Sequence, residues 1–338
     1  TGAFTTLSAA ATTITGDTTI GGSNKFAVAS GSGNTDIGGT LIVDGISTLA
    51  SSVLTTTDIN AGTVDNVTIG GNTAGALSKA IKLKDLVHGF NVTDGSRAIM
   101  RMSSLALCKL LLEANLEPVL QLSCRDRNRI ALQAELLGAH ALGITNILCL
   151  TGDPVRVGDQ SQAKSVQDFN SIELIKQVTS LNKGIDPVSD LLPDGPTNLF
   201  AGAAADPNCR GFDGLRRRIE LKKTAGANFL QTQMVMDPKV LERFCREITE
   251  PMKIPVLAGV FLLKSAKNAQ FINRVVPGAC IPESIISRLE SSSNPIDEGI
   301  SIAADQVKSF LGIAQGVHLM AVKAEQQIPI ILDRANIN

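Results

Sequence analysis

From about residue 84 onward, short apolar runs alternate with longer stretches in which apolar residues recur every three or four positions. A run of four to eight apolar residues between turn formers reads as a buried strand, and a 3.6-residue period reads as an amphipathic helix. The strands expected on this basis are 88–92, 118–124, 146–152, 198–205, 229–235, 254–261 and 316–322. Helices fit between them at 96–113, 128–140, 171–182, 211–225, 238–248 and 265–275, with further helix in 277–315 and a closing one at 326–335. Strands that alternate with helices predict an α/β fold around a parallel sheet. The count is seven strands, so the expected architecture is a (β/α)8 TIM-type barrel lacking its first strand-helix unit.

The first 76 residues follow another pattern. Thr, Gly, Ser, Ala, Ile, Val, Asn and Asp dominate, Lys25 is the only basic residue, and no Glu occurs before Glu113. Short β-prone pieces recur between Gly-rich turns at 13–16, 18–22, 40–45 and 67–71, which suits strands and turns and not helices. The segment resembles the repeat regions of phage tail-fibre proteins in composition, and it reads equally as a Thr/Ser/Gly-rich linker. The expected division is therefore a β-repeat or linker segment at 1–76 and a barrel at 77–338.

Composition narrows the function classes. Net charge is −1, with Lys and Arg scattered, so no nucleic-acid partner is expected. No apolar run reaches the roughly 18 residues of a membrane span, and no basic-then-apolar leader suggests secretion. Six cysteines (Cys108, Cys124, Cys149, Cys209, Cys245, Cys280) lie far apart without a CxxC pair, and His88, His140 and His318 are isolated. Buried thiols in a reducing, cytoplasmic compartment are expected, and no metal site.

Barrels of this type place their chemistry at the C-terminal ends of the strands. Thr93-Asp94-Gly95, Gln121 through Asn128, Thr151-Gly152-Asp153, Ala204-Ala205-Asp206, Gln231-Thr232-Gln233 and Gly259-Val260-Phe261 stand at such ends. Gly152 would let a ligand approach the backbone, and the alanines would admit a flat ring. Each also has a structural reading: an Asp after Gly as a helix N-cap, Arg125-Asp126-Arg127 as a surface ion-pair network, and small residues as relief of packing.

The stretch Pro118–Pro154, "PVLQLSCRDRNRIALQAELLGAHALGITNILCLTGDP", resembles methylenetetrahydrofolate reductase. "AGANFLQTQMVMD" from Ala225, "IPVLAGVFLLKSAKNAQFI" from Ile254 and "VPGACIPE" from Val276 extend the resemblance in order. The resemblance implies a flavin enzyme using FAD and NAD(P)H. Such enzymes pass a hydride from NAD(P)H through the flavin to 5,10-methylenetetrahydrofolate, giving 5-methyltetrahydrofolate. Asp153 then falls beside the flavin pyrimidine edge and Gln233 at the folate pterin, both as catalytic residues, with Thr232 and Phe261 as further substrate contacts. Thr93, Gln121, Thr151, Gly152, Ala204, Asp206 and Lys222 fall at flavin-binding positions. Some relatives carry His at the Gln121 position, Arg at Thr151 and Tyr near Asp206. A folate substrate and a homo-oligomer are the implied partners.

The family's first strand carries a Glu that acts as general acid, and its place just before Asp85 holds the Gly- and Thr-rich segment instead. Loss of a positioned acid typically costs about 10²–10⁴-fold in rate. A β-prone piece such as 63–70 is expected to dock into the gap and restore hydrogen bonding without restoring the acid, Asp65 being a remote substitute. The alternatives to an active reductase are a non-catalytic fibre-type fusion and an inactive flavin or folate binder.

Overall fold

The structure, a computed structural model, describes residues 63–65, 73–160, 162–186, 188, 191–276 and 278–337. These belong to the compact unit Thr56–Asn338. The expected repeats at 13–16, 18–22, 40–45 and 67–71 lie outside the described residues.

The chain runs β1 (Thr63–Asp65), α1 (Thr73–Ile81), β2 (Gly89–Val92), α2 (Ser104–Glu113), β3 (Pro118–Ser123), α3 (Arg129–Ala141), β4 (Asn146–Leu150) and α4 (Ser171–Leu181). It continues through β5 (Phe200–Ala205), α5 (Phe212–Ala225), β6 (Phe229–Met234), α6 (Pro238–Phe244), β7 (Val256–Phe261) and α7 (Ala266–Val275). Two more helices, α8 (Glu283–Ser291) and α9 (Pro295–Leu311), precede β8 (Gly316–Met320) and α10 (Ile328–Arg334). All neighbouring strands pair in parallel, and the order β1 to β8 closes into a barrel. Among the described residues no helix is long and apolar enough to cross a membrane.

The seven strands read from the apolar runs are all present, shorter by one or two residues at some ends. The eighth place is held by β1, whose three residues bridge the gap. Val64 lies in register with Phe90 of β2 and with Leu319 of β8. The piece expected to dock at 63–70 therefore does so through its first three residues, and β2 and β8 both gain a partner. Barrel elements begin upstream of residue 77, where the sequence division was drawn. The helix expected at 96–113 starts only at Ser104, because Gly95, Arg97 and Ala98 all adopt positive φ (54°, 57° and 52°). Such angles interrupt a right-handed helix.

Local sequence explains the helix starts. Asn128 Oδ1 accepts from Ala131 N at α3. At α4, Asn170 and Glu173 form a reciprocal capping box. Asp237 and Pro238 open α6, and Ser265 Oγ accepts from Asn268 N at α7. The main core lies between the barrel wall and its helices, with Leu120, Leu122, Ile147, Leu230, Val256 and Val260 packed among Leu132, Leu136, Leu174, Ile175, Phe244 and Phe310. Inside the barrel a second cluster of Val119, Leu148, Phe229 and Leu257 forms an apolar plug. Strand alternation puts Gln121 two residues above Val119 and Gln231 two above Phe229, on the same inward face. The barrel is thus apolar at its base and polar toward its C-terminal mouth.

Candidate active site

At the end of β2, Asp94 is fully engaged in structure. Its Oδ2 accepts from Ser123 N at 2.9 Å and from Arg127 Nη1 at 2.7 Å, while Oδ1 accepts from Arg127 Nη2 at 3.2 Å and from Ser104 Oγ at 3.4 Å. The ends of β2 and β3 are locked together by this bidentate pair, whose side chains are only 18% (Arg127) and 9% (Asp94) exposed. Arg125 pairs with Asp126 through Nε and Nη2 at 2.7 and 2.6 Å, and its Nη1 donates to Gly95 O. The Arg125-Asp126-Arg127 cluster is accordingly an ion-pair network. Its two arginines, however, are largely buried beneath the 94–98 turn and do not lie on the surface.

At the end of β4, Thr151 Oγ1 accepts from Ser171 N at the start of α4. Gly152 has φ +92°, and a Cβ there would lie 2.2 Å from Ser123 Oγ and 2.9 Å from Arg125 Cβ. Its glycine is thus demanded by the neighbouring strand end. Asp153, exposed at the rim, is not the N-cap of the turn that follows it, a place held by Pro154. Its Oδ2 instead accepts from Arg97 N at 2.7 Å.

Two roles separate along β5. A Cβ on Gly202 would strike the Phe229 ring at 2.2 Å, so that glycine relieves packing against the plug. Ala204 and Ala205 instead line the cavity above. Lys222, from α5, donates to Ala204 O at 2.6 Å. Burial, aided by nearby Arg218, lowers its ammonium pKa from 10.5 to about 8. Asp206 Oδ1 accepts from Asn208 N, and burial pushes its carboxyl above the ordinary range. Asn208 Nδ2 donates to Met234 O and Gly278 O, tying this end to β6 and the loop after α7.

The β6–β7 ladder is irregular at the site. Register slips between Gln231 and Met234, so Thr232 and Gln233 form a bulge. Thr232 Oγ1 donates to Gln233 O at 2.7 Å and accepts from Gly259 N at 2.8 Å. A Cβ on Gly259 would sit 2.8 Å from the carbonyl oxygens of both Thr232 and Gln233, so glycine is what lets the bulge press against β7. Gln233 Oε1 accepts from Met234 N, and His318 Nε2 of β8 lies 3.1 Å from Thr232 O. Phe261 is half-buried at the end of β7.

These ends surround one cavity of about 1050 Å³. Thr93, Gln121, Thr151, Gly152, Asp153, Ala204, Asp206, Lys222, Thr232, Gln233 and Phe261 all line it. Gln231 and Arg97 join them from strand ends with no role assigned from sequence, and His318 and the cations Arg101, Arg156, Arg218 and Lys264 line the cavity without having been expected there. Strand alternation from Gln233 is disturbed by the bulge, and the cations come from turns and helices whose direction no local pattern reveals. Among the described residues no group of three or more His, Cys, Asp or Glu could hold a metal ion. Burial raises the thiols of Cys124 and Cys245 to about 12 and about 11, which makes them poor nucleophiles.

The comparisons with known proteins agree with this geometry. Methylenetetrahydrofolate reductase 2 of Schizosaccharomyces pombe is 23% identical over 263 residues, covering 73% of this chain and 40% of its own length. A probable methylenetetrahydrofolate reductase (NADPH) of Caenorhabditis elegans is 23% identical over 68% of this chain and 34% of its own. The chain therefore spans well under half the length of these relatives. A solved structure from Clostridium thermocellum, described as an uncharacterized protein that binds two copies of 5-methyl-5,6,7,8-tetrahydrofolic acid, superposes with a TM-score of 0.59 at 13% identity. It covers 83% of this chain and 97% of its own, and so shares the fold. The methylenetetrahydrofolate reductase family model matches residues 70–336. On that match, which takes in β2 through β8 and the strand ends that line the cavity, the chain belongs to the methylenetetrahydrofolate reductase family.

Proposed function

We propose that the cavity binds FAD and a reduced folate, and that the protein reduces 5,10-methylenetetrahydrofolate to 5-methyltetrahydrofolate at the expense of NAD(P)H. The observation that carries this reading is the convergence of Asp153, Gln233, Ala204 and Lys222, from four separate segments, on one large cavity at the barrel mouth. The cavity is at the upper end of the roughly 300–1,000 Å³ usual for small-molecule sites, which suits a dinucleotide-sized group with a second ligand.

The residues present fit such a group. Ala204 and Ala205 leave a flat apolar wall, and Lys222 and Arg218 bring positive charge beside it where phosphates would lie. Arg97 and Arg101 after β2 and Arg156 after β4 add further positive charge to the lining, which favours anionic ligands. Bound FAD would supply the two-electron carrier chemistry that links a nicotinamide to a folate. The chain's own part is to bind and orient. The Asp153 carboxylate, fixed by the Arg97 amide, would accept hydrogen bonds from a heterocycle edge. The Gln233 carbonyl is held by the Met234 amide, which leaves the Gln233 amide N–H groups to donate to a pterin. Thr232 holds the bulge that carries Gln233, and Phe261 offers an aromatic surface. A reducing, cytoplasmic location and a homo-oligomer complete the proposal; the six free cysteines support the former.

A second reading has its own support. β1 carries no Glu, and its last residue, Asp65, stands in register with Met320, which lines the cavity. A binder of flavin and folate that oxidises NAD(P)H without reducing the folate is the outcome if Asp65 does not serve as acid. The test is the visible spectrum of the purified protein, followed by anaerobic NADH or NADPH and then methylenetetrahydrofolate. A flavin band that bleaches and then returns on adding folate supports the reductase. Bleaching without return selects the binder. A colourless protein that takes up no FAD refutes both.

A further inference from the structure

We propose that Gln231 is a ligand-contacting, specificity-determining residue. Its side-chain carbonyl accepts a hydrogen bond from a lactam-type N–H of the heterocycle bound at the cavity floor. The proposal deepens the reading above and rests on it.

Gln231 is 5% exposed, and its Oε1 is buried without a hydrogen-bond partner among the described residues. A buried acceptor left unpaired is costly, so native structures nearly always satisfy it or keep it for a ligand. The location argues for a ligand. Gln231 lines the cavity, two residues above the Phe229 ring of the apolar plug and immediately before the bulge. In register beside it stand Ala204, itself a cavity wall, and Leu257 of the plug. Ala204 has no side-chain donor and Leu257 is apolar, so neither can satisfy an amide. An apolar residue would pack equally well on the plug, and a turn of the amide about its last torsion would present the carbonyl to the cavity that Gln231 lines. A planar heterocycle with a ring N–H between carbonyl or amino-substituted carbons presents the complementary donor. Isoalloxazine and pterin both carry that group.

The test uses the full chain with Gln231→Leu, which keeps approximate volume and removes the acceptor, and Gln231→Glu, which keeps an acceptor oxygen. FAD affinity is read by flavin fluorescence, 5-methyltetrahydrofolate affinity by calorimetry on the FAD-loaded protein, and stability by thermal melting of the ligand-free protein. Gln231→Leu is expected to weaken one of the two ligands by about tenfold, the worth of one such bond. The ligand-free melting temperature should hold or rise, because replacing an unpaired buried acceptor by an apolar group is neutral or stabilising. Gln231→Glu should retain more of that affinity than Gln231→Leu. Weakened FAD assigns the N–H to the flavin, and weakened folate with intact FAD assigns it to the pterin. Both affinities within twofold of wild type, or a lower ligand-free melting temperature with unchanged binding, would overturn the proposal and leave the functional reading intact. A wild-type chain that binds neither probe would overturn the functional reading and this inference together.

Discussion

Replacing Asp94 by Ala tests whether the loop that frames the cavity is held from within. The carboxylate accepts four hydrogen bonds, two from the Arg127 guanidinium, one from the Ser123 amide and one from the Ser104 hydroxyl. Removing one member of a buried ion pair typically costs about 3–5 kcal/mol, because the remaining charge is left without a partner. Here Arg127 keeps a second acceptor, Glu135 Oε1 at 3.5 Å, and its side chain is 18% exposed. The expected loss is therefore about 2–4 kcal/mol, or roughly 4–10 °C in melting temperature for a chain of this size. Denaturant unfolding, with the slope checked for constancy, gives the same quantity at room temperature. A companion Asp94→Ala/Arg127→Met variant should recover part of the loss, since it removes the stranded charge as well. If Asp94→Ala lies within about 0.5 kcal/mol of wild type, the pair behaves as a solvated surface bridge, and the view of a buried brace between β2 and β3 is wrong.

Gly152→Ala should destabilise by about 2–4 kcal/mol, from a positive φ and a Cβ forced onto Arg125 Cβ; a melting temperature equal to wild type would refute the crowding. For Lys222 the folded pKa (about 8) lies below its ordinary 10.5, so the unfolded chain binds more protons between those values. The burial penalty is full below about pH 8 and vanishes as pH approaches 10.5, so this residue's contribution makes stability rise with pH. Lys222→Met should flatten that rise and weaken FAD binding; an unchanged pH profile would contradict the buried-ammonium argument. Val64→Pro removes a backbone donor from the middle of β1 and should lower the melting temperature and produce higher-mass species on size exclusion, as the β2 and β8 edges open. An unaltered melt and elution volume would show that β1 is dispensable for closure.

Strand and helix positions from β2 onward were legible because most strands are largely apolar runs buried on both faces, as in Pro118–Ser123 and Val256–Phe261. The helices between them carry their own start signals at Asn128, Asn170, Asp237 and Ser265. The strand-end part of the cavity lining was legible too, since the barrel rule fixes which end of each strand to read, whereas His318 and the cations from turns and helices were not. Local irregularities set by the relation of two strands escaped as well. The bulge at Thr232–Gln233 needs Gly259 across the ladder, and the demand for Gly152 arises from Ser123 and Arg125. The helix expected to begin at residue 96 was interrupted by positive-φ residues, two of them not glycine, which no propensity signals.

The first strand marks where fold and chemistry part. Closing the barrel requires only backbone donors and acceptors in the right register, and a three-residue piece such as Thr63–Asp65, which carries no Glu, supplies them to β2 and β8. A general acid requires one particular side chain at one position. Nothing in strand pairing selects for it, because the ladder is indifferent to side-chain chemistry wherever the pleat is respected. Closure is therefore compatible with both proposed outcomes, a working reductase and a flavin binder that stops at nicotinamide oxidation. The return of the flavin band on adding folate separates them, because that step depends on the acid and the fold does not.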